Sequence, residues 1–371
     1  MPSTRGDLDC KFPFELVIQT LDQCDQETLL TCSLVCRSWM PSCRSQIFRE
    51  FEIGGGNEQQ CLEIASLLES KHSTIPEFIE EMKLDLKYTD LTLTSCHSLE
   101  TILRHLKNRC RLLKKLYLAY NGMALLSSMA QVSNLGTFAQ QLVASLECIT
   151  ELELHLYHEH DTRILIEFTS SFPQLEVLKM HSGYEWESDH AHLLPYTLPS
   201  SLRTLQFGGD DDVQVEGLAP YDRWLSLQIP LHLSNLSIYK IKVQGSNRRL
   251  HPDIGPFLRR CTELRFLHLG FDTGYVILGA KAFYDLSMSQ HLEILVVSIR
   301  NVAETRLDSV LLGLIQNMLN TLTSPCLRNI SFNVSGSGSR RRLGHYGFIT
   351  LRHKIRHRSR RAYHSILGCN S

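Results

Sequence analysis

Nine copies of one short pattern, apolar-x-x-apolar-x-apolar, run through this chain and restrict what it can fold into. They read IEEMKL at 79–84, LKKLYL at 113–118, ITELEL at 149–154, LEVLKM at 175–180 and LRTLQF at 202–207. They continue with LSNLSI at 233–238, LRFLHL at 264–269, LEILVV at 292–297 and LRNISF at 327–332. Measured at the fourth residue, the intervals are 34, 36, 26, 27, 31, 31, 28 and 35. The last three residues of each copy alternate, which suits a short strand with one buried face. Between many copies lie stretches of helical spacing: Gln59 to Ser70, Ser98 to Asn108, Phe138 to Leu146, Thr162 to Ser170, Gly255 to Cys261 and Val310 to Leu322. A strand, then a helix, repeated at a near-constant period is the pattern of a solenoid, where each unit is too small to stand alone and leans on its neighbours. The expectation is an α/β array over residues 54–335, irregular because the intervals vary.

Residues 12–53 follow a different rule. Pro13 suits the first turn of a helix, where a missing N–H costs nothing, and Phe14, Leu16, Val17, Ile18 and Leu21 follow. Asp25 is placed to cap a second helix, with Glu27 in its first turn and Leu29, Leu30, Leu34 and Val35 along it. Cys36, Arg37 and Trp39 begin a third short helix, which Pro41 must kink or restart. Three short helices cannot bury so many large side chains among themselves. Either later segments of the chain cover the surplus or a partner does. Gly54-Gly55-Gly56 then reads as a hinge or tight connection.

The residues Phe12-Pro13, Glu15-Leu16, Leu29-Leu30, Leu34-Val35-Cys36-Arg37 and Trp39 stand at the offsets of an F-box, which this stretch resembles; Phe12 replaces the usual leucine. The run CSLVCRSW followed by SCRSQIF looks like the F-box proteins expanded in mushroom-forming fungi. The hexad, in turn, resembles the strand half of a leucine-rich repeat. It departs from that family in its longer, uneven intervals and in showing the family's asparagine only at Asn121. The resemblances together imply a three-helix F-box at 12–53 after a disordered 1–11, then a leucine-rich-repeat-like solenoid at 54–335 and a basic, disordered tail at 336–371.

Formal net charge is −1, but unevenly placed: the first 339 residues sum to −10 and residues 340–361 carry nine Lys or Arg. The tail breaks the repeat pattern and is read as disordered or artefactual before a localisation signal, with nucleic-acid binding last. The first ten residues lack the apolar core of a signal peptide, and no run approaches the ~18 apolar residues of a membrane span. The expected location is cytoplasmic or nuclear, where the cysteines of apolar segments (Cys32, Cys36, Cys110, Cys148, Cys261) stay reduced.

No catalytic constellation emerges, and no cofactor is expected. HLYHEHD at 155–161 groups His155, His158 and His160 with Asp161. The hexad register places His155 just after a strand and the others in its loop, and no second cluster supplies a fourth zinc ligand, so no metal is assigned. Cys32 and Cys36 lack a paired CxxC, and the glycines at 336–338 lack the GK[ST] of a phosphate loop. Asp210, Asp211 and Asp212 read as a solvated loop before they read as a patch for basic substrates.

What the resemblance implies is a non-catalytic substrate-recognition subunit of an SCF-type (Skp–cullin–F-box) E3 ubiquitin ligase, or, as an alternative, an F-box scaffold that binds the adaptor without directing ubiquitination. The partners implied are a Skp-family adaptor, through it cullin and RING subunits, and an unknown protein substrate. The implied adaptor-binding residues are Pro13, Leu16, Ile18, Leu21, Leu29, Leu30, Leu34, Val35 and Trp39. The hexad register points Tyr117, Glu153, Lys179, Gln206, Ser237 and His268 outward, with His155, His181 and Tyr239 one pleat further, as the candidate substrate face.

Overall fold

Each hexad becomes a strand that begins at its third residue. The computed structural model describes residues 13–54, 58–70, 73–86, 93–107, 109–120, 146–156, 168–182, 197–208, 225, 232–242, 255–272, 284–302, 309–336 and 347–351. The hexad strands are β2 (Glu81–Leu86), β3 (Lys115–Tyr120), β4 (Glu151–Leu156), β5 (Val177–Ser182), β6 (Thr204–Phe207), β7 (Asn235–Lys242), β8 (Phe266–Asp272), β9 (Ile294–Val302) and β10 (Asn329–Gly336). Among the described residues, two strands lie outside those hexads: β1 (Glu50–Gly54) and β11 (Gly347–Leu351). The chain divides into two units, residues 1–154 and 155–371.

The first unit opens with α1 (Phe14–Leu21), α2 (Gln26–Val35) and α3 (Met40–Ile47). Pro13 stands at the N-cap of α1. Asp25 caps α2 by accepting the Thr28 N–H at 2.8 Å. The third helix starts at Met40, not at Cys36 as expected. Pro41 is tolerated only in a first turn, so the helix begins one residue before it. Val17, Leu21, Leu29 and Cys43 are the core of the three helices, with Cys24, Cys32, Trp39 and Ile47 packed against it.

After α3 the chain runs straight into the sheet. Phe48-Arg49-Glu50-Phe51-Glu52-Ile53 repeats the hexad pattern, and β1 pairs parallel with β2 from Glu50↔Glu81 to Gly54↔Asp85. The end of the stretch read as helical is therefore the first strand of the array. Gly54, the first of the three glycines, is the last residue of that strand and not a hinge between the helices and the strands. Helices α4 (Glu58–Glu69) and α5 (Leu93–Leu106) follow β1 and β2 in the chain. They bury Cys61, Ala65 and Leu68, and Leu99, Ile102, Leu103 and Leu106.

In the second unit β5 to β10 lie side by side in chain order, all parallel. Apolar hexad positions form the core: Leu178, Leu205, Leu236, Leu267 and Leu295 at the fourth, and Met180, Phe207, Ile238, Leu269 and Val297 at the sixth, are all buried. The backbone explains why strands start where they do. The carbonyl of each second residue accepts two N–H groups from the next repeat. Arg203 and Thr204 donate to Glu176, Ser234 and Asn235 to Arg203, and Arg265 and Phe266 to Ser234. This keeps the strands in register despite unequal intervals. Short α6 (Gly255–Leu258) and longer α7 (Ser309–Thr321) precede β8 and β10. The tail expected to be disordered contains β11, which pairs antiparallel with β10 from Ile330↔Leu351 to Val334↔Gly347. An unpaired strand edge is a template for unwanted pairing, and β11 occupies this one.

Candidate functional site

Two surfaces carry the residues singled out by sequence, and each is described within its own unit. On the N-terminal helices the nine adaptor candidates separate by burial. Leu21 and Leu29 are core residues, 2% and 5% exposed, so neither can present a side chain to a partner. Trp39 is half-buried against that core, and Ile18 is half-buried. Pro13 is exposed, and Leu16, Leu30, Leu34 and Val35 expose 51%, 49%, 88% and 71% of their surface. Helix amphipathicity explains the split. Leu29 and Cys32 follow the core face of α2, whereas Leu30 and Leu34, four apart, share the opposite one.

Electrostatics on these helices is local. The Thr28 side-chain and backbone hydrogen bonds hold the Asp25 carboxyl below its ordinary range. The Cys36 thiol, 2.9 Å from the Ser38 hydroxyl, is lowered by that contact, whereas burial raises the Cys43 thiol. Farther along, burial pushes the thiols of Cys110 and Cys261 up to about 12, which keeps them protonated and unreactive.

The second surface is the outward row of the strands. In the first unit Tyr117 pairs with Lys83 across β3 and β2, and the Lys83 ammonium donates to the Glu50 carboxylate at 2.5 Å on β1. That bond lowers the Glu50 carboxyl and raises Lys83. Glu153 is half-buried on β4.

In the second unit the register places Lys179, Gln206, Ser237 and His268 side by side on β5 to β8. Tyr239 meets the His268 ring edge-on, with centroids 4.5 Å apart. Sequence reasoning stopped at His268, but the row continues through Val296 and Ser331, with Ser298 and Asn333 one pleat further. The signal was present in LEILVV and LRNISF, whose outward positions went uncounted. His268 Nε2 lies 2.8 Å from the Ser298 hydroxyl, and Asn333 Nδ2 donates to the same oxygen at 3.3 Å. His268 and Ser298 are only 9% and 8% exposed. The pair therefore orders the face and does not offer substrate an accessible nucleophile.

His155 lies inside β4, which runs to Leu156, not after the strand as expected. Its ring stacks on His181 of β5 with centroids 4.0 Å apart and 14° between planes. His158, His160 and Asp161 lie outside the described residues, as do Asp210, Asp211 and Asp212.

Comparison with known families matches the F-box domain over residues 10–51, a span that covers α1 to α3 and the start of β1. The match places an F-box domain at the N-terminus and supports an F-box protein. Such a domain implies binding to a Skp-family adaptor. No curated protein matches the chain. No helix among the described residues is long and apolar enough to cross a membrane.

Proposed function

We propose that this chain is the substrate-recognition subunit of an SCF-type E3 ubiquitin ligase. The observation that carries the reading is the exposure of four large aliphatic side chains, Leu16, Leu30, Leu34 and Val35, on the three helices matched as an F-box. Covering a fully exposed aliphatic side chain stabilises by roughly 1.5–3 kcal/mol, so these residues favour a partner that buries them. In this reading Leu16, Leu30, Leu34 and Val35 carry the adaptor contact, flanked by Pro13, Ile18 and the outer edge of Trp39. Leu21 and Leu29 hold the helices together beneath them.

The strands act as a leucine-rich-repeat-like solenoid whose outward row presents a protein substrate. Tyr117 and Glu153 would serve in the first unit, and His155, Lys179, His181, Gln206, Ser237 and Tyr239 in the second, with the buried His268 ordering the row beneath them. The chain contributes proximity: it holds a substrate lysine near a charged enzyme brought by cullin and RING subunits, making the encounter nearly intramolecular.

The test is co-purification of the full chain with a Skp-family adaptor, comparing wild type with Leu34→Glu. Leu34 is almost wholly in solvent, so the variant should melt like wild type. A lost central contact is worth about 2 kcal/mol, and adaptor affinity should fall about thirtyfold. A folded Leu34→Glu chain that binds the adaptor as wild type does would overturn the docking assignment.

A further inference from the structure

Across β6 to β10, within the second unit, one outward row runs from Thr204 to Asn329 and the next from Gln206 to Ser331. Neither row contains Asp, Glu, Lys or Arg. At its centre the face is apolar. Phe266 and Ile294 pair across β8 and β9, and Val296 follows Ile294 on the same side by strand alternation. All three are half-buried, so part of each side chain meets solvent. Amides stand on both flanks. Gln206 on β6 donates through Nε2 to the Gly208 carbonyl at 3.0 Å, and Asn235 on β7 through Nδ2 to the Thr204 hydroxyl at 3.1 Å. On the other flank Asn333 of β10 donates to the Ser298 hydroxyl at 3.3 Å. We propose that this face binds an extended, uncharged polypeptide segment. A large apolar side chain of the segment sits on Phe266, Ile294 and Val296, and its main-chain N–H groups donate to the amide oxygens of Gln206, Asn235 and Asn333. The inference rests on the reading that the outward row presents substrate, and it names the chemistry of that substrate.

Complementarity selects this occupant. Each of the three amides spends its N–H on a neighbour within the face, so its oxygen is the group offered outward. Gln206 donates to a carbonyl, which accepts only, and that fixes which way its amide points. Acceptors call for donors, and an extended main chain supplies one N–H per residue. A Lys or Arg side chain also donates, but a charge laid on this face gives up water with no counter-charge to meet it. A neutral main chain meets no such penalty. Covering the exposed parts of Phe266, Ile294 and Val296 with an apolar side chain then adds stabilisation in proportion to the area removed from water. The spacing agrees. Strands about 4.8 Å apart put β6 and β10 about 19 Å from each other, and a segment rising about 3.3 Å per residue crosses them in about six residues.

The probe is a phage-displayed library of random peptides about seven residues long, one more than the crossing needs, selected on the full chain. Selected peptides should carry Phe, Trp, Leu, Ile or Met at one fixed position and few charged residues around it. The synthetic consensus peptide, followed by fluorescence anisotropy, should bind Val296→Glu about tenfold more weakly than wild type. Gln206→Ala should weaken binding about threefold, whereas Arg328→Ala, at an exposed side chain paired with Glu293 outside both rows, should leave it unchanged. On wild type, exchanging the apolar residue of the peptide for Asp should cost about tenfold, and this arm decides the matter if Val296→Glu does not fold. Co-purification with a Skp-family adaptor keeps the two readings apart, and Val296→Glu should hold the adaptor as wild type does. A chain that binds the adaptor yet selects no peptide, or selects charged ones, would overturn the peptide site alone. A chain that selects apolar peptides but binds no adaptor would support the site and overturn the ligase reading.

Discussion

In α1 to α3 the aliphatic side chains outnumber the core that holds them: Leu21 is 2% exposed, while Leu34 is 88% and Val35 71%. In β5 to β9 every leucine of the five hexads is buried, from Leu175 to Leu295. The difference follows from how each architecture finds neighbours. A strand in a parallel stack has another on either side, so its apolar row is covered by repetition. Helices of eight to ten residues have two or three turns each, and three of them enclose little volume. The hexad leucines of β5 to β9 are covered by their neighbours, whereas the F-box helices leave Leu34 and Val35 bare.

Paired leucine truncations give the sharpest way to break that comparison. Leu267→Ala, at a position 0% exposed, should cost about 3 kcal/mol by lost burial and a residual cavity, read by denaturant unfolding. Leu34→Ala should move the same transition by no more than about 0.5 kcal/mol, and its effect should appear in adaptor binding instead. Equal destabilisation by both would mean that Leu34 is covered by the chain itself.

A smaller effect tests the polar row. Ser298→Ala removes the hydroxyl shared by His268 and Asn333, and about 1 kcal/mol of stability should go with it. An unchanged unfolding midpoint would show that the network orders nothing.

The smallest concerns Asp25, whose folded-state carboxyl titrates below its ordinary value through its bonds to Thr28. A lowered value means the ionised cap contributes stability above the unfolded pKa of about 3.9 and loses it as pH falls through the folded value. Asp25→Ala should therefore melt lower than wild type at pH 7, and the gap should narrow towards pH 3. A gap that persists in acid would assign the effect to helix propensity, not to the charged cap.

Much of this was legible beforehand because local chemistry dictates it. The cap at Asp25, the strand at each of nine hexads and the alignment of Gln206, Ser237 and His268 in one row follow from spacing alone. The strand at Glu50–Gly54 was hidden because FREFEI lies against the F-box and was absorbed into it, although its alternation equals that of the other hexads. The start of α3 was misplaced by giving Cys36 and Trp39 more weight than Pro41. The separation of Leu29 from Leu30 was beyond reach, since two adjacent leucines look alike until the facing helix shows which one it covers.

The amino-acid order by itself determined where strands begin, which side chains alternate and that the N-terminal helices hold more apolar surface than they can enclose, because these are properties of neighbours a few residues apart. Only the tertiary structure decided which leucines close the F-box core, that α3 leads without a linker into the first strand, and that His155 and His181 stack. Those outcomes depend on residues brought together from separate elements, and the distances between such residues are set by packing.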